Sequence, residues 1–173
     1  MPSDREIAAF ADPQLGQHFL VSTEKLAKLI AAAGIRPTDK VLEVGAGIGT
    51  IARELPRSKR LTVVEVDKRF IEFLRQNVPH AIVLQGDAIE IIRSLSFDVL
   101  IGSLPHAVTE YLLTLMPSLS FRTAVLAVSE SADLDRLGPA FSWSEVTRIT
   151  GDDFLPPQPS VSRIVKVVPA DSQ

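Results

Sequence analysis

The 173-residue sequence contains no cysteine, only three histidines, and few aromatic residues, with a single tryptophan and a single tyrosine. The absence of cysteine excludes disulfides, thiolate metal sites and a cysteine nucleophile. His18, His80 and His106 are scattered along the chain, so we expect no histidine metal site and no bound metal. The chemistry of this chain must therefore be sought among other residue types.

Long hydrophobic runs are also missing. The longest ones, such as Ala124 to Val128, have the length of a strand, so we expect no membrane-spanning segment. The first ten residues include acidic side chains and lack the apolar core of a signal peptide, which predicts a cytoplasmic protein. With 46% hydrophobic and 23% charged residues, the composition indicates one globular domain over residues 1–173.

An overall excess of positive charge is missing too, because the formal net charge is −3. This argues against a protein that binds nucleic acid mainly through its total charge. Seven of the 18 basic residues nevertheless fall between positions 53 and 75: Arg53, Arg57, Lys59, Arg60, Lys68, Arg69 and Arg75. Two interpretations stay open for this run, an exposed helix face and a local surface that faces RNA.

The most informative segment is Lys40 to Thr50, in which an apolar run leads into Glu43 and three alternate glycines. Glycines at this spacing predict a tight turn after a buried strand, a helix that begins near Thr50, and a nucleotide-like ligand. The third glycine comes one residue too early for the G-x-G-x-x-G pattern of dinucleotide-binding proteins. A ligand-free turn is the alternative interpretation.

A second apolar run, Leu61 to Val66, carries Glu65 near its end. A carboxylate at this place in an α/β protein can accept hydrogen bonds from both ribose hydroxyls of a nucleotide. The alternative is a solvated strand end. Together, the glycine turn and Glu65 favour a nucleotide-like ligand at the carboxyl ends of the first two strands.

Apolar runs alternate with amphipathic segments along the chain, which predicts a mostly parallel sheet with helices on both faces. The predicted helices are Glu24 to Ala33 with Ser22 as N-cap, a short one from Thr50 to Pro56, Lys68 to Asn77, Ala88 to Leu95 (helix or turn), and Thr109 to Met116. The predicted strands are Val41 to Val44, Leu61 to Val66, Ala81 to Leu84, Phe97 to Gly102, Thr123 to Ser129, Trp143 to Ile149, and Val161 to Val168. The prolines after Phe154 predict an extended loop.

Several motifs occur in a fixed order along this pattern. They are Leu15-Gly16-Gln17-His18-Phe19-Leu20, the E-x-G-x-G-x-G turn from Glu43, the carboxylate Glu65, Gln85-Gly86-Asp87-Ala88, and Ser103-Leu104-Pro105-His106. In this order the chain resembles the ribosomal RNA adenine N6-dimethyltransferases of the KsgA and Erm type. The resemblance implies a class I S-adenosylmethionine-dependent methyltransferase fold, Rossmann-like, with a mostly parallel seven-stranded sheet.

The resemblance also implies a set of cofactor contacts. The N-terminal motif and the glycine turn would contact the methionine part of S-adenosylmethionine, Glu65 its ribose, and Asp87 its adenine amino group. The residues implied as cofactor-binding are Gln17, His18, Leu20, Glu43, Gly45, Gly47, Glu65, Val66, Asp87, Ala88 and Ser103.

The implied catalytic residues are Ser103, Leu104, Pro105 and His106, which stand where the family has N-L-P-Y. In the family, acceptor groups align the adenine amine, and the tyrosine ring stacks on the base. A serine hydroxyl can accept a hydrogen bond, although it is shorter than asparagine. His106 can stack when neutral, or it is a half-exposed loop histidine, and Phe154 either contacts the flipped-out base or is a core aromatic.

The leading hypothesis is transfer of methyl to an adenine amino group in RNA, with small-subunit ribosomal RNA or a pre-ribosome as partner. The small helical C-terminal domain of the family and its long loop after the fifth strand have no counterpart in residues 1–173. These differences motivate an alternative, a non-catalytic relative that binds the cofactor and acts in ribosome assembly or RNA binding. Methylation of a small molecule or a protein is a third possibility.

Overall fold

The computed structural model describes residues 4–170. Its α-helices are α1 (Asp4–Phe10), α2 (Thr23–Ala33), α3 (Lys68–Asn77), α4 (Ala88–Ile92) and α5 (His106–Leu115). Its strands are β1 (Phe19–Leu20), β2 (Lys40–Val44), β3 (Arg60–Glu65), β4 (Ala81–Gln85), β5 (Val99–Ser103), β6 (Thr123–Ser129), β7 (Phe141–Ile149), β8 (Phe154–Leu155) and β9 (Ser162–Pro169). Short 3-10 turns occur at Pro13–Leu15, Ala52–Glu54, Met116–Ser118, Leu134–Leu137 and Gly151–Asp153.

The central sheet has seven strands in the order β4-β3-β2-β5-β6-β9-β7. Strands β2 to β6 pair in parallel, and β9 runs antiparallel to both of its neighbours, β6 and β7. Because the parallel strands share one direction, their carboxyl ends meet at one edge of the sheet, which we call the carboxyl edge; the other is the amino edge. The predicted mostly parallel, seven-stranded fold is confirmed.

Alternate residues of the strands supply two hydrophobic cores, one on each face of the sheet. Val41, Val63 and Ile101 pack on the face covered by α2 and α3, whereas Leu42, Val64 and Leu100 pack on the face covered by α4 and α5. Both faces are buried, so these strands are nearly continuous apolar runs, as parallel sheets require.

The predicted elements correspond closely to those observed, and the ranges for α3 and β6 are the same in both. Helix α2 ends at Gly34, which has the left-handed conformation expected of a C-cap, but Ser22 makes no side-chain capping hydrogen bond. The helix predicted from Thr50 was wrong, because only a 3-10 turn over Ala52–Glu54 forms. Helix α5 begins three residues earlier than predicted, at His106, directly after Pro105.

A second, two-stranded sheet was not predicted. In it, β1 pairs antiparallel with β8, so that Phe19 lies opposite Leu155 and Leu20 opposite Phe154. The pairing holds the N-terminal segment over the carboxyl edge of the main sheet. No helix within residues 4–170 is long and apolar enough to cross a bilayer.

Candidate active site

A cavity of about 720 Å³ opens at the carboxyl edge, between β2, β3 and β5 and beneath the N-terminal segment. Glu43, Glu65 and Ser103 belong to these three strands, at or next to their last residues. Each stands two positions after a residue of the α2 and α3 face, so alternation directs the three side chains to that same face. The cavity therefore brings a carboxyl pair and a hydroxyl together.

The glycine turn is shaped by neighbouring side chains. Gly45, Gly47 and Gly49 all have positive φ, of 71°, 55° and 80°. A Cβ at Gly45 would lie 2.5 Å from Leu104 Cδ2, and one at Gly47 would lie 2.7 Å from the ring of Phe19. Both the backbone conformation and the packing thus require glycine, and this requirement comes from the protein itself.

Two buried carboxyl groups line the floor of the cavity, with Glu43 1% and Glu65 6% exposed. Glu65 accepts hydrogen bonds from Gly47 N (2.7 Å) and Asp67 N (2.8 Å), whereas Glu43 Oε2 is buried without a partner among the described residues. Burial, and then the nearby charge of Glu65, raises the pKa of Glu43 to about 8, and burial also raises the pKa of Glu65. At neutral pH, Glu43 is therefore mostly protonated.

Gln17 joins the N-terminal segment to the turn after β3. Its Nε2 donates to Asp67 Oδ2 (2.8 Å), and its Oε1 accepts from Asp12 N (2.9 Å) and Arg69 Nη2 (3.2 Å). Arg69 also forms a salt bridge with Asp67 at 2.5 Å, and its hydrogen bonds hold the pKa of that carboxyl well below its usual range. Because Asp67 N donates to Glu65, one hydrogen-bond network runs from the N-terminal segment to the glycine turn.

His18 makes a second connection between distant segments. Its Nδ1 lies 2.9 Å from the carbonyl oxygen of Pro156, and because a carbonyl only accepts, Nδ1 carries the proton. Next to it, the pairing of β1 with β8 fixes the same two segments to each other. The N-terminal segment is thus held on both sides of the cavity.

The outer end of the cavity has an apolar and an acidic side chain. Val66 is 65% exposed, and Asp87 caps α4 by accepting from Ile89 N at 2.7 Å. Ala88 follows in the first turn of that helix and also lines the cavity. An exposed valine beside an oriented carboxylate can bind a flat ring that carries a hydrogen-bond donor.

The segment from Ser103 to Pro105 forms the opposite wall. Of the residues that the structure describes, none forms a hydrogen bond with Ser103 Oγ, and this half-buried hydroxyl lines the cavity. The carbonyl of Leu104 accepts from the hydroxyl of Thr109 at 3.1 Å, and Pro105 O lies 3.2 Å from the same hydroxyl. Thr109 is 2% exposed. This wall therefore presents one unengaged hydroxyl beside one oriented carbonyl.

All but two of the residues implied by the family resemblance line this cavity: Gln17, His18, Leu20, Glu43, Gly45, Gly47, Glu65, Val66, Asp87, Ala88, Ser103, Leu104 and Pro105. His106 does not line it, because as the first residue of α5 it is exposed outside the mouth. Phe154 does not line it either; it is 3% exposed and packs in the core with Leu20. Its position agrees with the alternative interpretation, a core aromatic.

Sequence reasoning did not single out Asp67, Arg69 or Thr109 as functional residues. Asp67 is the N-cap of α3 and accepts from Arg69 N, a signal that an N-cap pattern could have revealed. The role of Thr109 depends on the start of α5 and has no comparable local signal. In the described part of the chain, no cluster of three or more His, Asp or Glu side chains could hold a metal ion.

The sheet order, the glycine turn and the cavity at the carboxyl edge define a class I methyltransferase fold. The 23S rRNA methyltransferase ErmE has this fold, with a TM-score of 0.78 at 23% identity over 87% of this chain and 69% of its own. The sequence profile of the family "Ribosomal RNA adenine dimethylase" matches residues 10–134. The chain belongs to this family, as its motifs predicted.

Individual proteins of this family are similar to the chain in sequence and in structure. The ribosomal RNA small subunit methyltransferase A of Dehalococcoides mccartyi is 30% identical over 89% of this chain. A dimethyladenosine transferase from Plasmodium falciparum superposes with a TM-score of 0.79 at 26% identity over 90% of this chain. The chain spans 61% of the first relative's length and 64% of the second's.

Proposed function

We propose that this chain is an S-adenosylmethionine-dependent methyltransferase that acts on an adenine amino group of ribosomal RNA. The observation that carries the proposal is the unpartnered carboxyl of Glu43 beside Glu65 on the cavity floor. A buried carboxyl without a partner is costly, and a positively charged ligand removes that cost. S-adenosylmethionine carries both an ammonium and a sulfonium group.

The other cavity residues fit the remaining parts of this cofactor. Glu65 is held by two backbone amides, and its free lone pairs can accept from a ribose diol. Val66 offers an exposed apolar side chain for the adenine ring, and Asp87 an oriented acceptor for the adenine amino group. When bound, the cofactor supplies a methyl group on a positively charged sulfur atom.

The acceptor wall supplies alignment. The amine of adenine is a poor nucleophile because its lone pair is delocalised into the ring. Ser103 Oγ and Leu104 O can both accept hydrogen bonds from this amine, which would orient its lone pair and stabilise developing positive charge. His106 outside the mouth would stack on the base, and Phe154 would support β1 from the core. The relatives' names suggest small-subunit rRNA as the substrate. We extend this proposal to a pre-ribosome as the form of that substrate and to the cytoplasm as its location.

The test measures transfer of labelled methyl from S-adenosylmethionine to small-subunit rRNA, free or in small-subunit particles. We expect label in adenine with the wild type, at least about tenfold less with Ser103→Ala, and recovery with Ser103→Asn, which restores the family's residue. Cofactor affinity by calorimetry should fall much less than methyl transfer in Ser103→Ala, because Glu43, Glu65 and Asp87 are unchanged. Asp87→Asn keeps the helix cap oxygen and should weaken cofactor binding instead.

Absence of label in the wild type, with cofactor binding intact, would reject the proposal. It would favour a relative that binds the cofactor without turnover and acts in ribosome assembly. Recovery of pre-ribosomal particles on a tagged chain, unchanged by Ser103→Ala, would then support that alternative.

A further inference from the structure

The basic run between positions 53 and 75 does not form one surface. Arg69 pairs with Asp67 at the cavity, and Arg75 lies 3.8 Å from Glu72 on the exposed side of α3. Arg57, Lys59 and Arg60 lie instead at the amino edge of the sheet, where the loop after Leu55 leads into β3. The fold thus separates cations that the sequence places together.

A fourth cation joins the latter three from the neighbouring strand. Lys40 begins β2 and pairs in register with Arg60, the first residue of β3. Both side chains reach the same residue, Ser96: Arg60 Nη2 donates to its carbonyl at 2.9 Å and Lys40 Nζ to its hydroxyl at 3.2 Å. We call Lys40, Arg57, Lys59 and Arg60 the amino-edge cluster.

The positive charge of this cluster is not neutralised by ion pairs. Within residues 4–170, none of its four members lies within salt-bridge distance of a carboxylate. Of the carboxylates at this edge, Asp39 pairs with Arg122 at 2.5 Å, and Asp98 accepts from the backbone of Lys40 at 2.7 Å. The side chains of Arg57 and Lys59 are exposed and form no hydrogen bond with any residue that the structure describes, so their charges are free for a partner.

The carboxyl edge carries charges of both signs. Asp12, Asp67 and Asp87 line the cavity together with Lys68 and Arg69, and Glu90 is exposed in the first turn of α4. Phosphates that approach the mouth therefore meet carboxylates as well as cations, whereas phosphates at the amino edge meet four cations without an ion-pair partner among the described residues. A strand of five residues separates the two edges by roughly 15 Å, at about 3.3 Å per residue.

We propose that the amino-edge cluster binds the phosphate backbone of structured RNA, at a surface separate from the cavity that receives the target base. The class of partner rests on the proposed function, and the position and charge of the cluster come from the fold. Lysine and arginine side chains without acidic partners bind phosphates by releasing counterions, largely independently of sequence. A folded RNA is large enough to contact both edges of one domain.

The experiment compares wild type with Arg57→Gln/Lys59→Gln and Arg57→Glu/Lys59→Glu, two exposed positions outside the cavity. Affinity for a transcript of small-subunit rRNA is measured without cofactor over a range of salt concentrations. We expect the neutral double variant to weaken binding about tenfold at low salt and to reduce the slope of log K against log salt by about two. The reversed variant should weaken binding further.

The matched control for the reversed variant is Lys28→Glu/Arg148→Glu, which makes the same change in net charge as Arg57→Glu/Lys59→Glu but on other exposed surfaces, next to Glu24 and Glu130. Its affinity should stay within about twofold of wild type, because its cations are already paired.

Equal affinities and salt slopes for the wild type and the cluster variants would overturn the proposal, as would an equal loss in the control. Wild type that binds heparin but not the rRNA transcript would overturn it as well. These results are independent of methyl transfer. A chain that binds rRNA through the cluster yet transfers no methyl would retain this proposal and lose the proposed activity.

Discussion

The two halves of the cavity are built differently. We call the side of the cavity proposed to bind the cofactor the cofactor half, and the side formed by Ser103 to Pro105 the acceptor half. In the cofactor half, hydrogen bonds join Gln17 to Asp67, Asp67 to Glu65, and Glu65 to the glycine turn, so these side chains are held in place without a ligand. In the acceptor half, the Ser103 hydroxyl makes no hydrogen bond with the described residues, and the carbonyl of Leu104 accepts one from Thr109. Hydrogen bonds within the protein therefore fix the side chains of the cofactor half, but they do not fix the hydroxyl of the acceptor half.

This difference explains where the chain departs from its family. A change at Glu65 or Asp67 would break contacts that join the N-terminal segment to the sheet. Among the described residues, the hydroxyl of Ser103 makes no hydrogen bond, so a serine in place of the family's asparagine costs no such bond. On the proposed function, Glu65 serves both structure and ligand, whereas Ser103 and His106 would contact the acceptor alone.

The largest expected effect comes from Gly45→Ala, because the added methyl group would push the glycine turn of the cofactor half against the acceptor half. Its Cβ would lie 2.5 Å from Leu104 Cδ2 and 3.0 Å from Ser103 O, at a φ of 71°. We expect the free energy of unfolding to fall by about 2–4 kcal/mol, from the left-handed conformation and the overpacking together. Thermal or denaturant unfolding measures it.

The matched control is Gly34→Ala. Gly34 has a φ of 53° and no atom within 4 Å of the position of a Cβ. The substitution should lower the free energy of unfolding by about 1 kcal/mol, the contribution of the left-handed conformation alone. If both substitutions lower the free energy of unfolding equally, the packing of Leu104 against the glycine turn does not contribute to stability.

Glu43→Gln tests the cofactor half alone, through the dependence of folding stability on pH. In the unfolded chain Glu43 ionises near its ordinary pKa of 4.5, while in the folded protein it stays protonated until about pH 8. The folded state therefore binds the extra proton, and its stability falls as pH rises across that interval, by up to about 1.4 kcal/mol per pH unit. The glutamine variant should lose this slope in unfolding measurements on the cofactor-free protein.

Glu90→Gln, at an exposed carboxyl on α4, controls for general charge effects and should keep the wild-type slope. An unchanged slope in Glu43→Gln would mean that the buried carboxyl is not the group that titrates. The buried carboxyl of Glu43 would then not distinguish the cofactor half from the acceptor half.

Thr109→Val tests the acceptor half and should have the smallest effect. Valine keeps the shape but removes the hydroxyl that holds Leu104 O, so methyl transfer should slow about fivefold, equivalent to roughly 1 kcal/mol. Cofactor affinity should not change, and Thr109→Ser should restore the rate. Equal losses with serine and valine would instead indicate a packing role.

Most of the fold could be predicted from local patterns. Alternating apolar runs located the seven strands of the main sheet, and all but two of the site residues implied by the ordered motifs line the cavity. The β1 and β8 pairing escaped prediction because two-residue strands have no periodicity, and their partners lie more than 130 positions apart. The predicted start of α5 at Thr109 was three residues too late, because the helix begins at His106 after an N-cap, Pro105, that makes no side-chain capping hydrogen bond.

The sequence by itself determined the glycine turn, the order of strands and helices, and the family, because each depends on residues close together in the chain. Only the tertiary structure decided that Glu43 is buried beside Glu65, that Gln17 bonds to Asp67, and that Phe154 lies in the core. It also places Arg57 and Lys59 at the amino edge of the sheet, opposite the cavity. Burial, pKa and charge distribution arise from groups brought together by folding, and no local pattern encodes them.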